Sequence, residues 1–105
     1  MHSLIENYQV IQNSWSSTEY YSVLINLYNK DGHIKGELRF HKEEHSPVDS
    51  FDRNNDKIIL HFPLHRYLDV IDLLRNEKPI TLGFNTFTNE GWIRSGQEPV
   101  GEEET

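Results

Sequence analysis

The sequence predicts an α+β domain, an antiparallel sheet of about five strands with one main amphipathic helix packed on a face, in the order α-β-β-β-α-β-β. Three observations predict it. The 105 residues contain no Ala, the best helix former, and many β-branched and aromatic residues. Period-two alternation runs through residues 20–41. A single apolar stripe at helical spacing follows Pro63. A mostly-β sandwich or barrel with one helix is the alternative on the same observations.

At the N-terminus, Ser3-Leu4-Ile5-Glu6 has the Ser-x-x-Glu spacing of a capping box. Leu4, Tyr8, Ile11 and Trp15 then fall near helical spacing, which predicts a short helix over residues 4–12. Tyr8 to Gln12 also reads as a strand, so this stretch carries two periods at once. Asn13 to Thr18 is a Ser-rich connector.

In residues 20–28, Tyr21, Val23, Ile25 and Leu27 alternate with Tyr20, Ser22, Leu24, Asn26 and Tyr28. Asn29-Lys30-Asp31-Gly32 reads as a turn. On the return strand Ile34, Gly36, Leu38 and Phe40 face the core, while His33, Lys35, Glu37, Arg39 and His41 face away, the pattern of a half-wet antiparallel hairpin.

Lys42 to Asp56 reads as a polar loop. Lys57 to Phe62 is apolar on both faces and reads as a central strand. Pro63 suits a helix start, and Leu64, Tyr67, Leu68, Ile71 and Leu74 form one stripe over about residues 64–75. Ile80 to Phe84 and Trp92 to Ser95 form a last hairpin around Thr88-Asn89-Glu90-Gly91. Residues 1–95 are therefore expected to form one domain, and residues 96–105 an acidic, disordered tail.

Seventeen acids against ten Lys and Arg give a net charge of −7. The segments 43–56 and 95–105 carry that acidity, and the rest of the chain is close to neutral. A chain of this length is too short for a barrel enzyme of roughly 250 residues. The absence of Cys excludes disulfides, thiolate metal sites and Cys nucleophiles. No apolar run approaches the roughly 20 residues of a membrane helix, and no signal peptide is read, so a cytoplasmic location with no membrane partner is expected.

The sharpest motif is His41-Lys42-Glu43-Glu44-His45, which fits the inverted zincin pattern His-x-x-Glu-His. That chemistry needs both His on one helix face, whereas here His41 ends a strand and Pro47 follows His45 closely. His61 and His65 flank Pro63 and make a second candidate metal pair. Asp52, Asn54 and Asp56 occupy the first positions of a calcium loop, but Lys57 replaces its Gly and Pro63 its bidentate Glu. No Gly-x-Ser-x-Gly or phosphate-cradling loop is present, so neither an enzyme nor a cofactor is expected.

The reading is a small non-catalytic protein-interaction domain, expected to self-associate as a homodimer through exposed apolar and aromatic sheet surface. The candidate interface is Tyr20, Tyr28 and Trp92 with the face of His33, Lys35, Arg39 and His41. The alternative is single-stranded nucleic-acid binding on a curved sheet face, which the acidic balance disfavours. A second alternative is metal binding by His41 with His45, or by His61 with His65.

Overall fold

The computed structural model of the chain describes residues 1–14, 22–42 and 47–96. Among them are eight strands in two open sheets and one α-helix, an α+β arrangement in the broad sense. The strands are β1 (His2–Ile5), β2 (Asn7–Gln12), β3 (Val23–Tyr28), β4 (Ile34–His41), β5 (Ser50–Asp52), β6 (Lys57–Pro63), β7 (Ile80–Asn85) and β8 (Glu90–Ser95). A 3₁₀ turn, Leu64–Arg66, leads into the helix α1 (Tyr67–Asn76). One sheet has the order β2-β3-β4-β6-β5, and the other β1-β7-β8.

The helix expected over residues 4–12 is replaced by β1 and β2. The stripe of Leu4, Tyr8 and Ile11 is not one face: Leu4 and Ile11 are 52% and 37% exposed, while Ile5 joins the core and Tyr8 and Val10 pack against it. Pairing decides the conformation here. β1 supplies hydrogen-bond partners to β7, and β2 does so for β3, which outweighs the local capping signal. Glu6 lies between the two strands, so the segment 2–12 passes from the edge of one sheet to the edge of the other.

The β3–β4 hairpin forms as its alternation predicts, with a bulge at Leu27/Tyr28. Its turn is held by Asn29, whose Oδ1 accepts the N–H groups of Asp31 and His33. The all-antiparallel expectation fails at β6, which runs parallel to β4. The reason is β5, a three-residue strand inside the expected polar loop. β5 pairs antiparallel with β6 across a turn in which Asp52 Oδ1 accepts the N–H groups of Asn54 and Asn55. β6 therefore enters between β4 and β5 with its direction reversed from a simple hairpin. Asp52, the first residue of the calcium-like spacing, is used in this turn.

The inner faces of both sheets and α1 share one core, in which Ile25, Leu27, Leu38, Phe40, Leu60 and Leu82 are the largest fully buried side chains. Gly36 of β4 sits where the sheets approach: a Cβ there would overlap Leu82 Cδ2 of β7 and come within 3.2 Å of the Ile58 carbonyl. α1 contributes Leu74 of the expected stripe and Val70, which the stripe did not include, while Leu68 is left exposed. Asp69 in its first turn and Arg75 in its last complement the helix dipole. No helix among the described residues is long and apolar enough to cross a membrane.

Candidate functional site

The outer face of the five-stranded sheet gathers most of the polar side chains that alternation pointed away from the core. Parallel pairing of β4 with β6 sets Arg39 opposite His61, Glu37 opposite Ile59 and His41 opposite Pro63. Strand period two then puts Lys35, Glu37, Arg39 and His41 on this face beside Lys57 and His61.

Glu37 is the centre of the charges. Its Oε2 accepts from Arg39 Nε at 3.1 Å and Nη2 at 2.7 Å, and its Oε1 accepts from Lys57 Nζ at 3.0 Å. Its side chain is only 12% exposed, because the two longer neighbours fold over it. Burial alone would raise its pKa; the hydrogen bonds and charges of Lys57 and Arg39 outweigh that and hold it below the ordinary 4.5. Lys35 pairs with Asp56 in the β5–β6 turn. The basic side chains that alternation assigns to this face are thus met by carboxylates.

A depressed carboxylate pKa adds stability that is present above the unfolded value and is lost as the pH falls through the folded one. Glu37→Gln is therefore expected to cost about 1–2 kcal/mol at neutral pH, the scale of a charge-assisted bond partly exposed to water. The cost should shrink in acid. Urea midpoints of both proteins measured from about pH 7 to about pH 3 should converge at the acid end; a gap that stays constant would show that the charge of Glu37 is not what stabilises the fold.

Above this network, His41 Nε2 and His61 Nδ1 lie 2.9 Å apart, with ring centroids 5.1 Å apart and planes tilted by 33°. One ring must donate and the other accept, so the contact suits a neutral pair. Burial, then the positive charges of His41 and Arg39, lower the His61 pKa below 6.5, against the pull of Asp49 and Glu37. On the core side, the residues next to these two in sequence, Phe40 and Phe62, stack at 5.4 Å and 20°. The stack belongs to the same register, Phe40 opposite Phe62, that brings the histidines together.

The candidate interface divides among separate places. Tyr28, Lys35, Arg39 and His41 share the outer face, where the Tyr28 hydroxyl donates to Gln9 Oε1 at 3.1 Å. His33 is exposed in the β3–β4 turn. Trp92 lies in the other sheet, on β8 opposite Gly83, where a Cβ would overlap its ring, and Arg94 stands 5.3 Å from the ring centroid. Tyr20, Trp15, His45 and the tail from residue 97 lie outside the described residues. His41 contacts His61, while His65 is exposed in the 3₁₀ turn. No group of three or more metal-ligating side chains occurs among the described residues.

Glu37, Lys57, His61 and Asp49 were missing from the interface expected on sequence. Their only advance signal is parity: each strand residue alternates against its buried neighbours. Together these features define a small sheet-rich α+β domain with a polar, charge-compensated sheet face. The sequence matches no family model, and no match is found among curated proteins or solved structures.

Proposed function

We propose that this chain is a non-catalytic protein-interaction domain that pairs with a second copy of itself through its N-terminal edge. The observation that carries the reading is that residues 2–12 form an edge of both sheets. Natural sheet edges are guarded by Lys, Pro or inward charge. This edge has no Lys and no Pro, and Glu6 is its one acidic residue.

Its hydrogen-bonding groups have a defined direction. Asn13 N–H donates to Ser22 O, and the antiparallel ladder carries that orientation to Ile11, Gln9 and Asn7. The N–H and C=O groups of Tyr8, Val10 and Gln12 consequently point away from β3. An identical strand related by a two-fold axis presents the same groups in return, which makes an isologous pairing. Leu4 and Ile11 add exposed apolar surface beside it. An open groove of about 300 Å³, lined by Leu4, Ile5, Tyr8, Leu74, Pro79 and Ile80, lies alongside. The remaining large exposed apolar side chains described, Met1 apart, are Val48, Leu68 and Phe87, each in a different segment.

Nucleic-acid binding draws less support. Lys35, Arg39 and Lys57 each have a carboxylate partner, and Tyr28 is the one Phe, Tyr or Trp side chain described on the outer face.

Light scattering at about 100 μM, a concentration that reports micromolar dissociation constants, is expected to give the mass of a dimer. Ile11→Lys places a gatekeeping charge on the edge without touching the core, so it should give a monomer whose stability lies within about 0.5 kcal/mol of the parent. A monomeric parent at that concentration, or a dimer unaffected by the lysine, overturns the reading.

A further inference from the structure

The histidine pair has a geometry that hydrogen bonding alone does not exhaust. Zinc and its neighbours bind imidazole nitrogen at about 2.0–2.1 Å, so two nitrogens on one ion at angles of 90–109° stand about 2.9–3.4 Å apart. His41 Nε2 and His61 Nδ1 are 2.9 Å apart. We propose that His41 and His61 form a surface site for a late first-row divalent cation, with the two imidazoles as adjacent ligands and solvent completing the coordination.

The scaffold favours it. Both residues stand on neighbouring strands in the interior of the five-stranded sheet, so the backbone already holds the ligands before an ion arrives. The Phe40–Phe62 stack beneath them resists a shift of register. Coordination would replace the N···N hydrogen bond by rotation of the rings through part of a turn, with no strand movement. Imidazole donors suit zinc, nickel and copper over magnesium or calcium.

The charges around the pair act in both directions. Arg39 opposes a cation, while Asp49 and Glu37 attract one, and Arg39 is itself bonded to Glu37. The ligands must be neutral to bind, so protons compete with the ion for both rings. Metal binding should weaken as the medium is acidified through the ordinary histidine range. With two protein ligands, affinity is expected in the micromolar range and not at the level of a closed structural site. The proposal is independent of edge pairing, since β4 and β6 are interior strands and β2 is not.

The test is calorimetric titration of the full chain with Zn²⁺ and with Ni²⁺. It uses a His2→Gln background, which removes any chelate between that ring and the N-terminal amine. One ion per chain is expected, with a rise in Tm on loading because the ion binds the folded state. His41→Gln and His61→Gln, which keep hydrogen-bonding capacity at these half-buried positions, should each weaken binding roughly tenfold or more, the scale of losing one ligand or its support. His33→Gln and His65→Gln should leave it unchanged. Ring NMR signals of His41 and His61 should shift together on titration. Absence of a saturable isotherm, or undiminished binding in a folded His61→Gln variant, overturns the site.

Discussion

Phe40→Ala is expected to cost the chain about 3–5 kcal/mol of stability. The ring is completely buried on β4, stacked at 5.4 Å on Phe62 of β6 and edge-on at 5.4 Å to Tyr67 at the start of α1. It therefore touches both the parallel strand pair and the helix that follows it. Removing a buried phenyl ring costs about 3–5 kcal/mol, from lost transfer energy and from the cavity left behind. Domains of this kind have total stabilities of about 5–15 kcal/mol, so the loss is about a fifth of the total or more. Urea unfolding followed by far-ultraviolet circular dichroism measures it. The same variant should loosen the His41–His61 contact, because the stack beneath the two histidines is gone. Phe40→Leu, which keeps most of the volume, should retain the fold with a smaller loss of about 1–1.5 kcal/mol. Equal stability of Phe40→Ala and the parent would mean that the parallel pair is held by its backbone ladder alone.

The β3–β4 hairpin and α1 were legible in the sequence because each has one strong period and a buried face to match. The segment 2–12 was not, because Leu4, Tyr8 and Ile11 satisfy a helical stripe while Asn7, Tyr8, Gln9 and Val10 satisfy alternation. Only the demand of β3 and β7 for partners resolves that ambiguity, and it comes from residues distant in the chain. β5 was illegible because three residues in a polar stretch carry no period. Its consequence was large: without β5, parallel pairing of β4 with β6 has no visible cause. Side-chain alternation is the same in parallel and antiparallel strands, so the sequence names the outward residues but not their neighbours. Proximity along the chain pairs His41 with His45 and His61 with His65; strand register joins His41 to His61 instead.

Asp49→Ala is the second large effect, and it acts between the sheets. Asp49 lies in the segment just before β5, where no sequence pattern marks it. Its Oδ1 accepts the His61 N–H of β6 at 2.8 Å, and its Oδ2 accepts the Gly91 N–H of β8 at 3.2 Å. One carboxylate thus ties the edge of the smaller sheet to the interior of the larger one. Alanine would leave two partly buried backbone donors without their acceptor, at about 1–3 kcal/mol each where water cannot reach them. Because both sites are partly accessible, the expected total is about 2–4 kcal/mol. Asp49→Asn decides the mechanism. An amide keeps the shape but offers one acceptor and one donor, so an N–H group facing its NH₂ is repelled. The asparagine variant should therefore recover only part of the loss, whereas a purely steric role would let it recover nearly all. Hydrogen exchange locates the effect: the His61 and Gly91 amides should lose protection in both variants, and the β3–β4 amides should lose it only as global stability falls. Unchanged protection at Gly91 in Asp49→Ala would mean that the two sheets are joined by their apolar core without this carboxylate.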